Sequence, residues 1–191
     1  MLARMESAKF LAGQFLLAMP GIGDPRFDQA MIAICAHDAE GAMGIDIGAA
    51  FEGMTLHDVL RQVDIAPGVA PDVPVLRGGP VETRRGFVLH SRDWSGVDTI
   101  DVAGRWALSG TLDALRAIAE GKGPTRWLVA LGYAGWGPGQ LDGEMTRHGW
   151  LNLGWNDETI LFDTPAEERW HSGFAQAGID PRLLANQSGH A

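Results

Sequence analysis

The sequence predicts an α+β (mixed α/β) fold in which helices pack on a mixed, mostly antiparallel sheet. Two observations carry this. Apolar runs of strand length outnumber the helical patterns, and many of those runs are joined by short turns. A doubly wound parallel sheet would instead need a crossover helix between most strands.

The elements follow in order. Gln14–Met19 is a short apolar run stopped by Pro20-Gly21, which predicts a buried strand. Asp24-Pro25 reads as a cap followed by a first-turn proline on a helix of about one turn. Ala30–Ala36 and Ala42–Ile47, joined by the turn residues Asp38-Ala39-Glu40-Gly41, predict a hairpin with Met43, Ile45 and Ile47 on one face. Thr55-Leu56-His57-Asp58 opens a helix with the spacing of a capping box. Three prolines and a glycine between Ala66 and Pro74 make a loop, and an extended run then ends at Gly78-Gly79-Pro80. Arg85–Ser91 predicts a strand with Phe87 and Leu89 on one face and Val88 and His90 on the other. Val97–Val102 alternates as a further strand. A helix is expected from Thr111 to Glu120, entered through Ser109-Gly110 and closed by Gly121. Trp127–Leu131 is an apolar strand, Gln140–Arg147 a short helix, Trp150–Leu153 a strand and Pro165–Ala177 the last helix. The polar tail 186–191 is expected to fray. Residues 1–191 are read as a single domain, with room for a small lobe.

Composition narrows the function classes. The 191 residues carry a net charge of −9, and only two of the fifteen basic residues are lysines, Lys9 and Lys122. No basic stripe is visible, which argues against direct nucleic-acid binding, because phosphate contacts supply most of that affinity. The single cysteine, Cys35, lies in an apolar run and reads as a buried, inert thiol. No stretch has the apolar length of a membrane span, so a soluble, cytoplasmic protein is expected.

Gly132-Tyr133-Ala134-Gly135-Trp136-Gly137-Pro138-Gly139-Gln140-Leu141 is the most demanding segment, with four glycines and a proline in ten residues. It is expected to be a loop of specific shape, because glycine is used where φ must be positive or backbones must approach closely. It fits neither nucleotide-binding glycine pattern, and Asp142 and Glu144 oppose an anion at the helix start that follows. Two residues apart, these carboxylates point to different sides of a helix and make a poor acid–base pair. The six histidines show no helical metal-ligand spacing, and no serine sits in a nucleophile elbow. No catalytic residue, metal ligand or cofactor is therefore assigned. Arg84-Arg85 reads as a solvated pair at a strand start, and a carboxylate clamp is its functional alternative. The structural reading of this turn folds Trp136 over the core, and the functional alternative makes Trp136, with Trp94 a second candidate, an exposed anchor.

Several blocks together are specific. Phe15-Leu16-Leu17-Ala18-Met19-Pro20, Ala36-His37-Asp38, Glu40-Gly41-Ala42-Met43-Gly44, Gly78-Gly79-Pro80-Val81, Arg85–Ser91 and Gly132–Trp136 with Gly139-Gln140-Leu141 span nearly the whole chain, and in this order they resemble the AlgH/YqgE family of bacterial proteins. The resemblance implies a compact α/β protein whose sheet curls towards a barrel, in a bacterial cytoplasm. Family members are often labelled transcriptional regulators, a role for which the charge distribution gives no physical support as direct operator binding. After Gly44 this chain has Ile45-Asp46-Ile47-Gly48-Ala49-Ala50 where the family continues towards an Asn-Arg-Pro turn. A contact made by that arginine in relatives would be missing here.

The favoured reading is a non-enzymatic regulatory or interaction protein. Its recognition surface for a protein partner or small ligand would comprise Gly78, Gly79, His90, Tyr133, Gly135, Trp136, Gly139 and Gln140. One rival is a small-molecule or nucleotide-binding enzyme or switch using the same cleft, marked by a concave pocket where His37 or His90 approaches a carboxylate and the loop amides point inward. The other is a DNA-binding regulator.

Overall fold

The structure, a computed structural model, describes residues 10–110, 112–155 and 158–185. The expected helix start at Thr111 and the tail 186–191 lie outside the described residues. The strands are β1 (Phe15–Ala18), β2 (Met31–Asp38), β3 (Gly41–Asp46), β4 (Ala50–Thr55), β5 (Pro74–Arg77), β6 (Val81–His90), β7 (Ile100–Val102), β8 (Trp106–Ser109), β9 (Trp127–Trp136) and β10 (Trp150–Gly154). The helices are α1 (Leu56–Gln62), α2 (Leu112–Glu120), α3 (Gln140–Thr146), α4 (Thr159–Phe162), α5 (Ala166–Gln176) and α6 (Pro181–Ala185), with a 3-10 turn at Pro25–Phe27. The sheet runs β10-β1-β2-β3-β9-β6-β8-β7, and β4 and β5 attach to it through β9. Among the described residues, β5 with β9 is the one parallel strand pairing. The expected mixed α/β architecture with a curled, mostly antiparallel sheet is what the chain forms.

Three apolar layers follow from strand alternation. Phe15, Leu17, Met31, Ala33, Ile45 and Ile47 share the main core with Phe87, Leu89 and the helix α5 residues Trp170 and Phe174. The opposite faces of β1 and β2 (Leu16, Ile32, Ile34) pack under α3 with Trp136, Leu141 and Trp150. Val88 and Val129 pack with α1 and α2. Cys35 is buried in the main core, and burial pushes its thiol up to about 12 with the Trp106 indole pulling weakly the other way. That makes it unreactive, as its surroundings predict. The capping box at α1 also forms: the Asp58 carboxylate accepts from the Thr55 backbone N–H at 3.0 Å.

The principal correction concerns Gly132–Trp136, which is strand and not loop. The strand begun at Trp127 runs on to Trp136, pairing with β6 through most of its length and with β3 at Ala134, Gly135 and Trp136. Glycine is needed there because two backbones meet. A Cβ on Gly78 would lie 2.1 Å from the Gly132 carbonyl oxygen, and one on Gly79 would lie 2.1 Å from the Tyr133 carbonyl carbon. Gly132 itself has φ +78, which shifts the pleat. As a result Leu131 faces the α1–α2 layer while Tyr133 packs against the main core.

Smaller corrections follow. Ser109 ends the buried strand β8 and is not a helix entry. Of Val97–Val102 only Ile100–Val102 is strand, and Val97 is 97% exposed. The helix placed last is followed by α6. Strand β4 shows no alternation of buried and exposed positions, and the four-residue β8 and α4 are too short for a periodic signal.

The crossing sets a stability prediction. Gly78→Ala should destabilise the fold by about 2–4 kcal/mol, because the added methyl meets backbone that cannot yield. Gly86→Ala, whose added Cβ would meet only Leu131 Cδ2 at 3.9 Å, should change it by less than about 1 kcal/mol. Urea unfolding of both variants checks this, and equal midpoints would remove the crossing as a constraint.

Candidate functional site

Tyr133 stands on the stretch of β9 just past the crossing, where it faces an open groove of about 730 Å³. The floor is the half-buried Tyr133 ring set edge-on to Phe87, with centroids 5.8 Å apart. Such a pair adds about 0.5–1.5 kcal/mol beyond its buried area. On one rim the Arg85 guanidinium lies over the Phe87 ring at 5.1 Å and pairs with Glu82 at 3.3 Å. On the other, the β2–β3 hairpin presents Asp38 and Glu40, and the Asp38 carboxylate accepts the Glu40 amide at 2.8 Å. The groove therefore has an aromatic floor between rims of opposite charge.

The structure gathers some of the expected site residues here and scatters others. Tyr133, Gly135 and Trp136 line the groove, and Gly78 and Gly79 back Tyr133 through the crossing. Trp136 is buried, folded over the core and not an exposed anchor, with its indole N–H donating to Glu144 at 2.8 Å. The Trp150 indole donates to the same Glu144 oxygen at 3.0 Å, and Gln140 donates to the other at 3.3 Å. Glu144 is thus the tie between α3 and the two tryptophans. Gly139 caps α3 with φ +70, and the Gly137 amide donates to the Gln140 side chain at 3.0 Å. That amide already has its acceptor, so this turn is self-satisfied.

His90 does not border the groove. It pairs with Trp127, at the far end of β9 from Trp136, a separation of roughly 30 Å along the strand. It is fully buried, with Trp94 edge-on to its ring at 5.5 Å. The Ser91 carbonyl 2.8 Å from Nδ1 requires that nitrogen to carry the proton. Nε2 therefore accepts from the Ser109 hydroxyl at 2.8 Å. Ser109 in turn meets Thr99 at 2.7 Å, and Thr99 accepts the Gly96 amide at 2.7 Å. The chain of bonds anchors the segment after β6. Burial pulls the His90 imidazole below its ordinary value.

His37 does approach a carboxylate, with Nε2 3.6 Å from Asp142. Its Nδ1 accepts the Leu11 amide at 3.0 Å, so Nε2 carries the proton and points it at Asp142. Asp142 and Glu144 serve different partners, as their helical spacing predicts. Among the described residues no cluster of three His, Cys, Asp or Glu side chains is placed to hold a metal ion. None of the described helices is long and apolar enough to cross a membrane.

Sequence reasoning missed Arg85, Phe87, Asp38 and Glu40 as groove residues. The signal was the alternation along β6, which sends Arg85 and Phe87 to one face and Arg84 to the other. Adjacent arginines on opposite faces cannot clamp one carboxylate. It also missed the buried charges Asp46 and Arg169. The Arg169 guanidinium donates to the carbonyls of Ile47, Ile160 and Leu161 at 2.7, 3.1 and 3.0 Å. Burial lowers it to about 10, which leaves it charged at neutral pH. Asp46 accepts the Gly48 and Met31 amides at 2.8 and 3.3 Å, and burial raises it to about 7. These groups close the segment after Gly44.

Comparisons with known proteins agree along the whole chain. The profile of the AlgH-like family (DUF179) matches residues 15–182. A UPF0301 protein of Rhizorhabdus wittichii is 61% identical over 98% of this chain and all of its own length. One from Novosphingobium aromaticivorans is 58% identical over the same shares. The solution structure of the AlgH protein from Pseudomonas aeruginosa superposes with a TM-score of 0.78 at 41% identity, covering 97% of this chain and 98% of that one. A crystal structure of a Corynebacterium diphtheriae protein, TM-score 0.70 at 19% identity over 98% and 96% of the two chains, shares the fold.

The buried imidazole gives a pH prediction. Because the folded value lies below the unfolded one, the His90 contribution to stability is full above about pH 6.5 and declines as pH falls below it. Nitrogen-15 NMR of the imidazoles should show His90 as the neutral Nδ1–H form at pH 6.5. Half-protonation of His90 at or above pH 6.5 would contradict the assignment.

Proposed function

The chain belongs to the AlgH-like family, and on that premise we propose that it is a non-enzymatic regulatory protein whose groove at Tyr133 captures a segment of a protein partner. The observation that carries this reading is the aromatic floor of Tyr133 and Phe87 set between the Arg85 rim and the Asp38–Glu40 rim. An extended segment with an apolar or aromatic residue flanked by charges of both signs complements that surface. The acidic rim repels nucleic-acid phosphates, which weighs against a DNA-binding reading. Tyr133 and Arg85 replace Trp136 and His90 as the residues expected to meet the partner, since the latter two are buried.

The test is capture of partners from a bacterial extract by the tagged chain. The double variant Tyr133→Ala/Arg85→Ala should reduce capture at least 10-fold, and raising the salt to 0.5 M should weaken it further by screening the rims. Val97→Asp, at a site 97% exposed and outside the groove, should leave capture unchanged. Capture that survives the double variant and salt alike would contradict the proposed surface.

A further inference from the structure

We propose that the chain carries a second ligand site, independent of the groove: the pocket between β4–α1 and β6–α2 takes an amphipathic anion, an unbranched acyl chain ended by a carboxylate. The pocket encloses about 610 Å³, a size that accommodates a small ligand. Its walls are mostly apolar and come from five elements, with Met54 on β4, Val59 on α1, Val88 on β6, Leu115 on α2 and Leu131 on β9, while Gln62 and Thr83 add uncharged polar groups. Leu112 stands at 40% exposure among the lining residues. Flexible Met and Leu side chains adapt to an unbranched chain more readily than to a rigid ring.

Two features of β6 point to the occupant. The first is Arg84. Alternation places Arg84, Gly86 and Val88 on the pocket face, and all three line it. The Arg84 side chain has no hydrogen-bond or ion-pair partner among the described residues, whereas its neighbour Arg85 is engaged by Glu82 on the other face. Among the described residues no Asp or Glu lines the pocket, so an anionic head finds a cation there and a cationic head finds no counter-charge. The second is Gly86. It is not in the positive-φ region, and the nearest atom to an added Cβ is Leu131 Cδ2 at 3.9 Å. Neither backbone shape nor crowding demands glycine, in contrast to Gly78 and Gly132. What the missing side chain leaves is space in the pocket, beside the unpaired cation.

Decanoate, held below its micelle concentration, is the probe, with 1-decanol and acetate as head-group and tail controls. The wild-type chain should bind decanoate saturably, and the amide NMR signals of Gly86, Leu112 and Leu131 should shift. 1-Decanol and acetate should each bind at least 10-fold more weakly. Arg84→Gln, at an exposed position, should weaken decanoate at least 10-fold without changing Tm. Gly86→Leu should abolish binding by filling the pocket. Absence of saturable binding, equal affinity for decanoate and decanol, shifts confined to the Tyr133 groove, or unchanged affinity in Arg84→Gln would each overturn the proposal. The Arg84 result decides the matter if Gly86→Leu does not fold. Loss of partner capture at Tyr133 has no bearing on this site, and binding of decanoate has none on the groove.

Discussion

The fold turns on one close backbone approach. Gly78 lies against Gly132, and Gly79 against Tyr133, at distances no side chain permits. There β9 changes neighbours on one edge. Its earlier residues Ala130 and Leu131 run parallel to β5, and its later residues Ala134–Trp136 pair with β3. Gly78 closes the junction: its amide donates to Leu131 at 2.9 Å, and its carbonyl accepts the Asp46 amide at 2.8 Å. Three strands thus meet at one residue. The pleat shift at Gly132 then decides which side of the sheet each later side chain faces. It turns Tyr133 to the groove while Leu131 stays in the apolar pocket. Both candidate sites therefore depend on the same few glycines, one on each face of the sheet.

Buried polar groups fasten helices to that frame. Arg169 bridges α5 to the carbonyls of α4 and of Ile47, at the end of β3. Truncating such a group would leave three buried carbonyls without donors, which costs far more than the net value of the bonds. Glu144 does the corresponding work for α3, holding the indoles of Trp136 and Trp150. Where the family resemblance implies an Asn-Arg-Pro turn, this chain has Asp46-Ile47-Gly48, and the turn is closed internally by Asp46 and from α5 by Arg169.

Much of the fold was legible because it obeys local periodicity. The β2–β3 hairpin, the capped α1, the face assignment of Phe87 and Leu89, and the Gly121 stop of α2 all follow from alternation, capping and turn chemistry. Where reading failed, the cause was nonlocal. Gly132–Trp136 is glycine-rich, which signals a loop by propensity, yet the glycines are there because another strand crosses. The acceptor of the Trp136 indole is Glu144, eight residues away on a different element, a partner that local pattern does not reveal. His90 was legible as facing away from Phe87 but not as lying at the other end of β9 from Tyr133, because register belongs to the sheet. The blocks that carry the family resemblance include Gly78-Gly79 and Gly132–Trp136, the two sides of the crossing. The groove itself was half visible, in Tyr133 and Gly135, and half hidden in Arg85, Asp38 and Glu40, which read as ordinary surface charges.

Amide hydrogen exchange at the crossing tests the account most directly. If the junction is the rigid centre on which groove and pocket are mounted, the amides of Asp46 and Gly78 exchange only through global unfolding, as slowly as those of Ile32 and Leu89 in the core. Exchange at Asp46 and Gly78 a hundredfold faster than in those core strands would show that the junction opens locally, and would contradict it.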